Sequence, residues 1–163
     1  MTIKCVHNGE EARQPYHYKA CGLDDVYLLS GYEIYNTHYG PGVSVRDVDA
    51  LHRAIGEYLT KHKKILNGKE VRFLRKQMDL TQSDLGKFLG VTDQQVARYE
   101  KGESKKMPGA ADAVLRMLYL EHVGGNISIR ELLTELEDTD APARNEKQVF
   151  AEEDGVWKPA IAA

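Results

Sequence analysis

The side chains best suited to chemistry lie between Thr81 and Gly102, in TQSDLGKFLGVTDQQVARYEKG. Thr81 is a good N-cap for a helix of about eight residues, Gln82 to Leu89. Gly90 supplies the left-handed backbone that ends it. Thr92 caps a second helix that runs to Lys101 and stops at Gly102. Leu85, Phe88, Leu89, Val91, Val96 and Tyr99 recur at spacings that place them on one shared inner face. Asp93, Gln94, Gln95 and Arg98 are left on the outside of the second helix. Gln pairs bidentately with adenine, Arg with guanine, and Asp accepts from cytosine, so these types can bond base edges in a major groove. Asp93 can instead favour the positive end of its helix. Gln82 and Thr92 stand at helix starts, where backbone N–H groups point at a phosphate and a polar side chain adds a bond. Lys101, Ser104, Lys105 and Lys106 lie at the end of the second helix and in the loop after it, placed for phosphates.

The charge of the chain agrees with this locally. Between Lys61 and Lys106 twelve Lys/Arg stand against six Asp/Glu, a balance of +6, in a chain whose net charge is −3. A basic middle between acidic flanks favours an anionic partner of that segment. No apolar run approaches the roughly 20 residues of a membrane span, and MTIKCVHNGEE has no apolar stretch of a signal peptide. The expectation is a cytoplasmic protein with no membrane partner. Two cysteines, Cys5 and Cys21, are expected to be free thiols there.

The elements that must position the stretch can be read in order. Residues 1–22 read as irregular. Val26–Tyr35 is rich in β-branched and aromatic residues and is interrupted at Ser30-Gly31, giving one bulged strand or two strands with a turn. Asn36–Ser44, with Gly40-Pro41-Gly42, reads as loop. Residues 1–45 therefore form a small β-containing unit, in which Tyr16, Tyr18, Tyr27, Tyr32, Tyr35 and Tyr39 supply apolar area or a subunit interface. Val48, Leu51, Ile55 and Leu59 make Val45–His62 an amphipathic helix, the core of a linking segment 46–66. From 67 to 137 five helices follow: Lys69–Met78, with Arg72, Arg75 and Lys76 on its outer face; the two above; one from Pro108 to His122; and a last one from Ser128 to Glu137. Residues 138–163 read as an acidic flexible tail, with a possible hairpin at 148–158 around Asp154-Gly155. The fold class expected is mainly α, a five-helix domain with a small β unit and a linking helix.

The Thr81–Gly102 stretch resembles the lambda-repressor-like helix-turn-helix family (Xre, or Cro/cI). The landmarks are Thr81-Gln82, Leu85, Gly90-Val91 and Tyr99-Glu100-Lys101-Gly102. The resemblance implies double-stranded DNA as partner, read by the helix 92–101. Its base-reading positions map onto Asp93, Gln94 and Arg98, with Gln95 reaching the backbone. Glu100 matches a glutamate expected to pair with a basic residue of the preceding helix. Transcription regulation as a homodimer is the implied function, because one such helix covers only a few base pairs.

The order of units also resembles MqsA-type antitoxins, which join an N-terminal zinc module to such a domain. That resemblance implies an alternative: an antitoxin that masks a toxin protein and autoregulates its operon. The zinc knuckles of that family are incomplete here, since Asn8 stands where a second cysteine belongs and Thr37–Gly40 has none. Cys5, His7, His17 and Cys21 are the four donors a rescued site would need, but Cys-x-His is tight for one tetrahedral ion. No cofactor is expected. No phosphate loop, G-x-S-x-G or H-E-x-x-H occurs, so no enzyme is expected either.

Overall fold

The computed structural model describes residues 2–3, 5–12, 14–102, 107–125, 128 and 147–162. The chain divides into two compact units, Met1–Ile55 with Asn145–Ala163, and Gly56–Arg144. Among the described residues there are five helices and ten strands, so the chain mixes α and β and is not mainly α.

The first unit is built from short strands: β1 (Thr2–Ile3), β2 (Val6–His7), β3 (Glu10–Glu11), β4 (Tyr16–His17), β5 (Val26–Leu28), β6 (Tyr32–Thr37), β7 (Gly40–Val45), and from the C-terminal segment β8 (Gln148–Glu153), β9 (Val156–Pro159) and β10 (Ile161–Ala162). Its largest sheet has the order β4-β5-β8-β9. The expected flexible tail is therefore corrected from Gln148 onward: β5 pairs in parallel with β8, with Val26 opposite Gln148 and Leu28 opposite Phe150. The reason is burial. Phe150 and Ala151 are fully buried, as are Val26, Leu28 and Leu29, and each large apolar side chain removed from water contributes about 1.5–3 kcal/mol. Asp154 and Gly155, at φ 52° and 79°, make the turn between β8 and β9. The hairpin is fastened at Ser30, whose hydroxyl donates to the Glu152 carbonyl (2.7 Å) and accepts its N–H (3.0 Å). Trp157 Nε1 donates to the Arg46 carbonyl at 2.9 Å. Gly31 has φ 79°, and a Cβ there would lie 2.6 Å from Glu152 Cβ and 2.7 Å from the Trp157 ring, so glycine is required twice over.

Ser30-Gly31 separates two strands that belong to different sheets. The segment read as loop at 36–44 is also corrected. β6 extends to Thr37 and pairs antiparallel with β7 from Tyr32–Val45 to Thr37–Gly40. Gly40-Pro41-Gly42 is a strand because β7 is an outer strand, where a missing N–H is tolerated. The tyrosines divide: Tyr18 and Tyr32 are buried, Tyr35 is half-exposed and Tyr39 is fully exposed at the hairpin tip.

α1 (Val48–His62) buries Leu51, Ile55 and Leu59 completely. It starts at Val48 rather than Val45, because β7 claims Val45. Within the first unit, Tyr18 Oη lies 2.9 Å from His52 Nε2. Burial lowers the His52 pKa from its ordinary 6.5, with Asp49 opposing, and burial pushes Tyr18 up to about 12. A depressed histidine leaves the unfolded chain binding more protons near pH 6, so stability is full above about 6.5 and falls on acidification until the folded-state pKa is passed. We expect thermal stability to fall between pH 7.5 and 5.5 and His52→Gln to remove part of that slope. An identical slope in the variant would contradict the assignment.

The second unit contains the second half of α1, α2 (Gly68–Gln77), α3 (Gln82–Leu89), α4 (Asp93–Lys101) and α5 (Gly109–His122). These are four of the five helices expected for 67–137; residues 129–137 of the fifth lie outside the described residues, as does the 138–146 part of the tail. Val71, Leu74, Leu85, Val96, Leu115, Tyr119 and Leu120 form its core, all at most 2% exposed. No described helix is long and apolar enough to cross a membrane.

Candidate nucleic-acid interface

Local signals build the two helices. Thr81 is extended (φ −74°, ψ 165°), and its hydroxyl accepts the Asp84 N–H at 3.0 Å while Asp84 accepts the Thr81 N–H at 3.2 Å, a reciprocal capping box. The Thr81 hydroxyl also donates to Asp84 and holds its carboxyl below the usual carboxylate range. Gly90 ends α3 at φ 70°, and the Val91 N–H returns to the Gly86 carbonyl at 2.9 Å. Thr92 accepts the Gln95 N–H at 3.2 Å, and Gly102 ends α4 at φ 70°. Gly86 makes the corner possible: a Cβ there would stand 2.6 Å from the Val91 carbonyl oxygen. Gly68 does the same for α2, where a Cβ would stand 2.4 Å from the Glu100 carbonyl oxygen.

Leu85, Val96 and Tyr99 point inward. Phe88 does not, which corrects the expected inner face: it is 56% exposed. The buried arc of α3 runs through Leu85 and Gly86 with Leu89 beside it, leaving Phe88 at its border. There it lines a shallow groove with Met78, Leu80 and Leu118.

Asp93, Gln94, Arg98, Lys101 and Thr92 are exposed, and Gln95 is half-buried at the edge of the same face. Gln94 and Arg98 are one turn apart, so their side chains reach the same side. The Asp93 carboxylate accepts the Gln94 N–H at 2.8 Å, which places it against the positive end of α4. Gln82 is less available than its position suggests: its Nε2 donates to Glu100 Oε2 at 3.0 Å. Ser104, Lys105 and Lys106 lie outside the described residues.

Glu100 is the node that fixes this frame. Its carboxylate receives Nε and Nη2 of Arg75 as a bidentate pair, the latter at 3.1 Å, and Arg75 Nη1 also donates to the Leu80 carbonyl at 2.8 Å. Their side chains are 10% and 5% exposed. The basic partner thus comes from α2 and not from α3, the helix preceding α4. Arg75, expected on the outer face of α2, is buried because its charge is matched across the domain. Periodicity sees one helix at a time and could not show this.

The candidate zinc donors do not converge. Cys5 Sγ donates to the Gln14 carbonyl (3.1 Å) and Cys21 Sγ to the Tyr18 carbonyl (3.7 Å). His17 Nε2 lies 2.6 Å from the Asp24 carbonyl oxygen with its ring stacked on Tyr27, and His7 meets Tyr32 edge-on. Among the described residues no three His, Cys, Asp or Glu side chains group as metal ligands. Burial pushes both thiols up.

Two capped helices joined by a left-handed glycine turn, the second presenting Gln and Arg outward, constitute a helix-turn-helix. Residues 71–118 match the helix-turn-helix family model, from within α2 to within α5. No curated protein and no solved structure matches the chain.

Proposed function

We propose that the chain is a sequence-specific DNA-binding transcriptional regulator that lays α4 in the major groove and binds as a homodimer. The observation that carries this is the pairing of exposed Gln94 and Arg98 on a helix held at both ends by caps and from behind by Glu100. In this reading Gln94 pairs with adenine and Arg98 with guanine, each bidentate contact discriminating by roughly 1–3 kcal/mol. Asp93 reads a cytosine amino group when it leaves its helix end. Thr92 still has a hydroxyl hydrogen to donate to a phosphate, Gln95 lies in the same turn, and Lys101 adds a cation at the other end of α4. At the start of α3 the first backbone N–H groups serve the phosphate, since the Gln82 amide is held by Glu100. From the sequence, Ser104, Lys105 and Lys106 continue the phosphate contacts. One such helix spans a few base pairs, and two copies about one helical turn apart multiply affinity and specificity.

Selection of bound duplexes from random DNA tests this. The expected product is an inverted repeat with half-sites roughly 10 base pairs apart, or a multiple. Recovery of unenriched sequences would refute base reading, and a single unrepeated half-site would refute the dimer.

A further inference from the structure

α2 carries cations that base reading does not use. Its buried side chains are Glu70, Val71, Phe73, Leu74 and Arg75, while Arg72 and Lys76 are exposed. Neither has an ion pair among the described residues. Arg72 precedes Arg75 by three residues and Lys76 follows it, so at about 100° per residue both border the side of α2 on which Arg75 lies. That side is located by Arg75's own contacts: Glu100 near the end of α4, and the Leu80 carbonyl just before α3. Glu100 in turn holds Gln82 in the first turn of α3. Arg72 and Lys76 therefore lie side by side next to the edge where the start of α3 meets the end of α4, the edge that faces the phosphates in the proposed complex. Arg75 cannot serve there, because its guanidinium is committed to Glu100 and Leu80. Asp79 is exposed in the turn just after α2, at φ 54°, and offsets one charge beyond its C-terminal end. A duplex backbone is the polyanion that this remaining positive edge complements.

We propose that Arg72 and Lys76 bind phosphates flanking the bases read by α4, lengthening the footprint along the backbone without adding sequence information. The inference rests on the DNA-binding reading above. It separates the domain into a discriminating face on α4 and an affinity edge on α2. Contacts of this kind raise affinity on every duplex, steepen the salt dependence and leave the preference between sequences unchanged.

The test uses the full chain and Arg72→Gln combined with Lys76→Gln. Binding is measured against salt concentration on the selected site and on an unrelated duplex, with thermal unfolding recorded for both proteins. The expected result is unchanged unfolding, a salt slope shallower by roughly 1.8 on both duplexes, and the same ratio between the two affinities. An unchanged slope overturns the proposal while leaving base reading intact. A slope that changes only on the selected site overturns it too, because it makes these residues readers of sequence. Failure of the unsubstituted chain to bind any duplex overturns the reading on which the proposal rests, and the proposal with it.

Discussion

Arg116→Ala is expected to cost roughly 3–5 kcal/mol of stability, the usual result of removing one partner from a buried charge pair. Arg116 is completely buried. Its Nε donates to Asp112 Oδ2 at 2.7 Å and its Nη2 to Asp112 Oδ1 at 3.3 Å, one turn back along α5. The same guanidinium caps the end of α1: Nη1 donates to the carbonyls of Leu59 (3.1 Å) and Thr60 (3.0 Å), and Nη2 to that of Lys64 (3.3 Å). The Leu59 carbonyl also accepts the Lys63 N–H at 3.3 Å, whereas the carbonyls of Thr60 and Lys64 lie in the last turn of α1 and just beyond it, where intrahelical donors run out. Alanine would take this donor from the Asp112 carboxylate and from the Thr60 and Lys64 carbonyls, and open a cavity as well. Arg116→Lys should recover little, since a single ammonium cannot span both sets of acceptors in the arginine fork's geometry. Urea unfolding followed by the helical circular dichroism signal checks this. A loss below about 1 kcal/mol for Arg116→Ala, the range of an exposed pair, would contradict the role given to the cap.

Glu100→Ala should be comparably severe, roughly 3–5 kcal/mol, and should reduce DNA binding at temperatures where the chain is still folded. The substitution strands the Arg75 guanidinium in an interior position and releases Gln82 at once. The pair itself is not required for stability, only its balance. Replacing Arg75 and Glu100 together by leucine and methionine should therefore restore most of the lost stability, as apolar residues of similar volume often do for a buried pair. It should not restore Gln82, so weakened binding should persist. A double variant as unstable as the sum of the two single variants would contradict the account of a balanced pair.

Much of the candidate site was legible because its signals are local. A threonine cap, a left-handed glycine and inward Leu85, Val96 and Tyr99 each act within a few residues of chain. Asp154-Gly155 announced a turn in the same way. What could not be read depends on contacts between distant segments. Composition made the C-terminal segment a tail, yet β8 completes a sheet with β5, more than a hundred residues earlier. Helical periodicity put Arg75 outside and Phe88 inside, and the structure reverses both, one through Glu100 and the other through the narrow buried arc of α3. Gly68 and Gly86 look like any other glycine until the carbonyls behind them are located. The exposed identities at 93, 94 and 98 were legible. The commitment of Gln82 to Glu100 was not, because it links residues 18 apart on different helices.

In the proposed complex α4 reads bases through Arg98. This is tested most directly by running the random-duplex selection with the unsubstituted chain and with Arg98→Ala in parallel. One enriched motif is expected for both, with the variant losing its preference at one base pair of each half-site and discriminating there by roughly 1–3 kcal/mol less. An unchanged motif at every position, or equal weakening on every duplex, would contradict it.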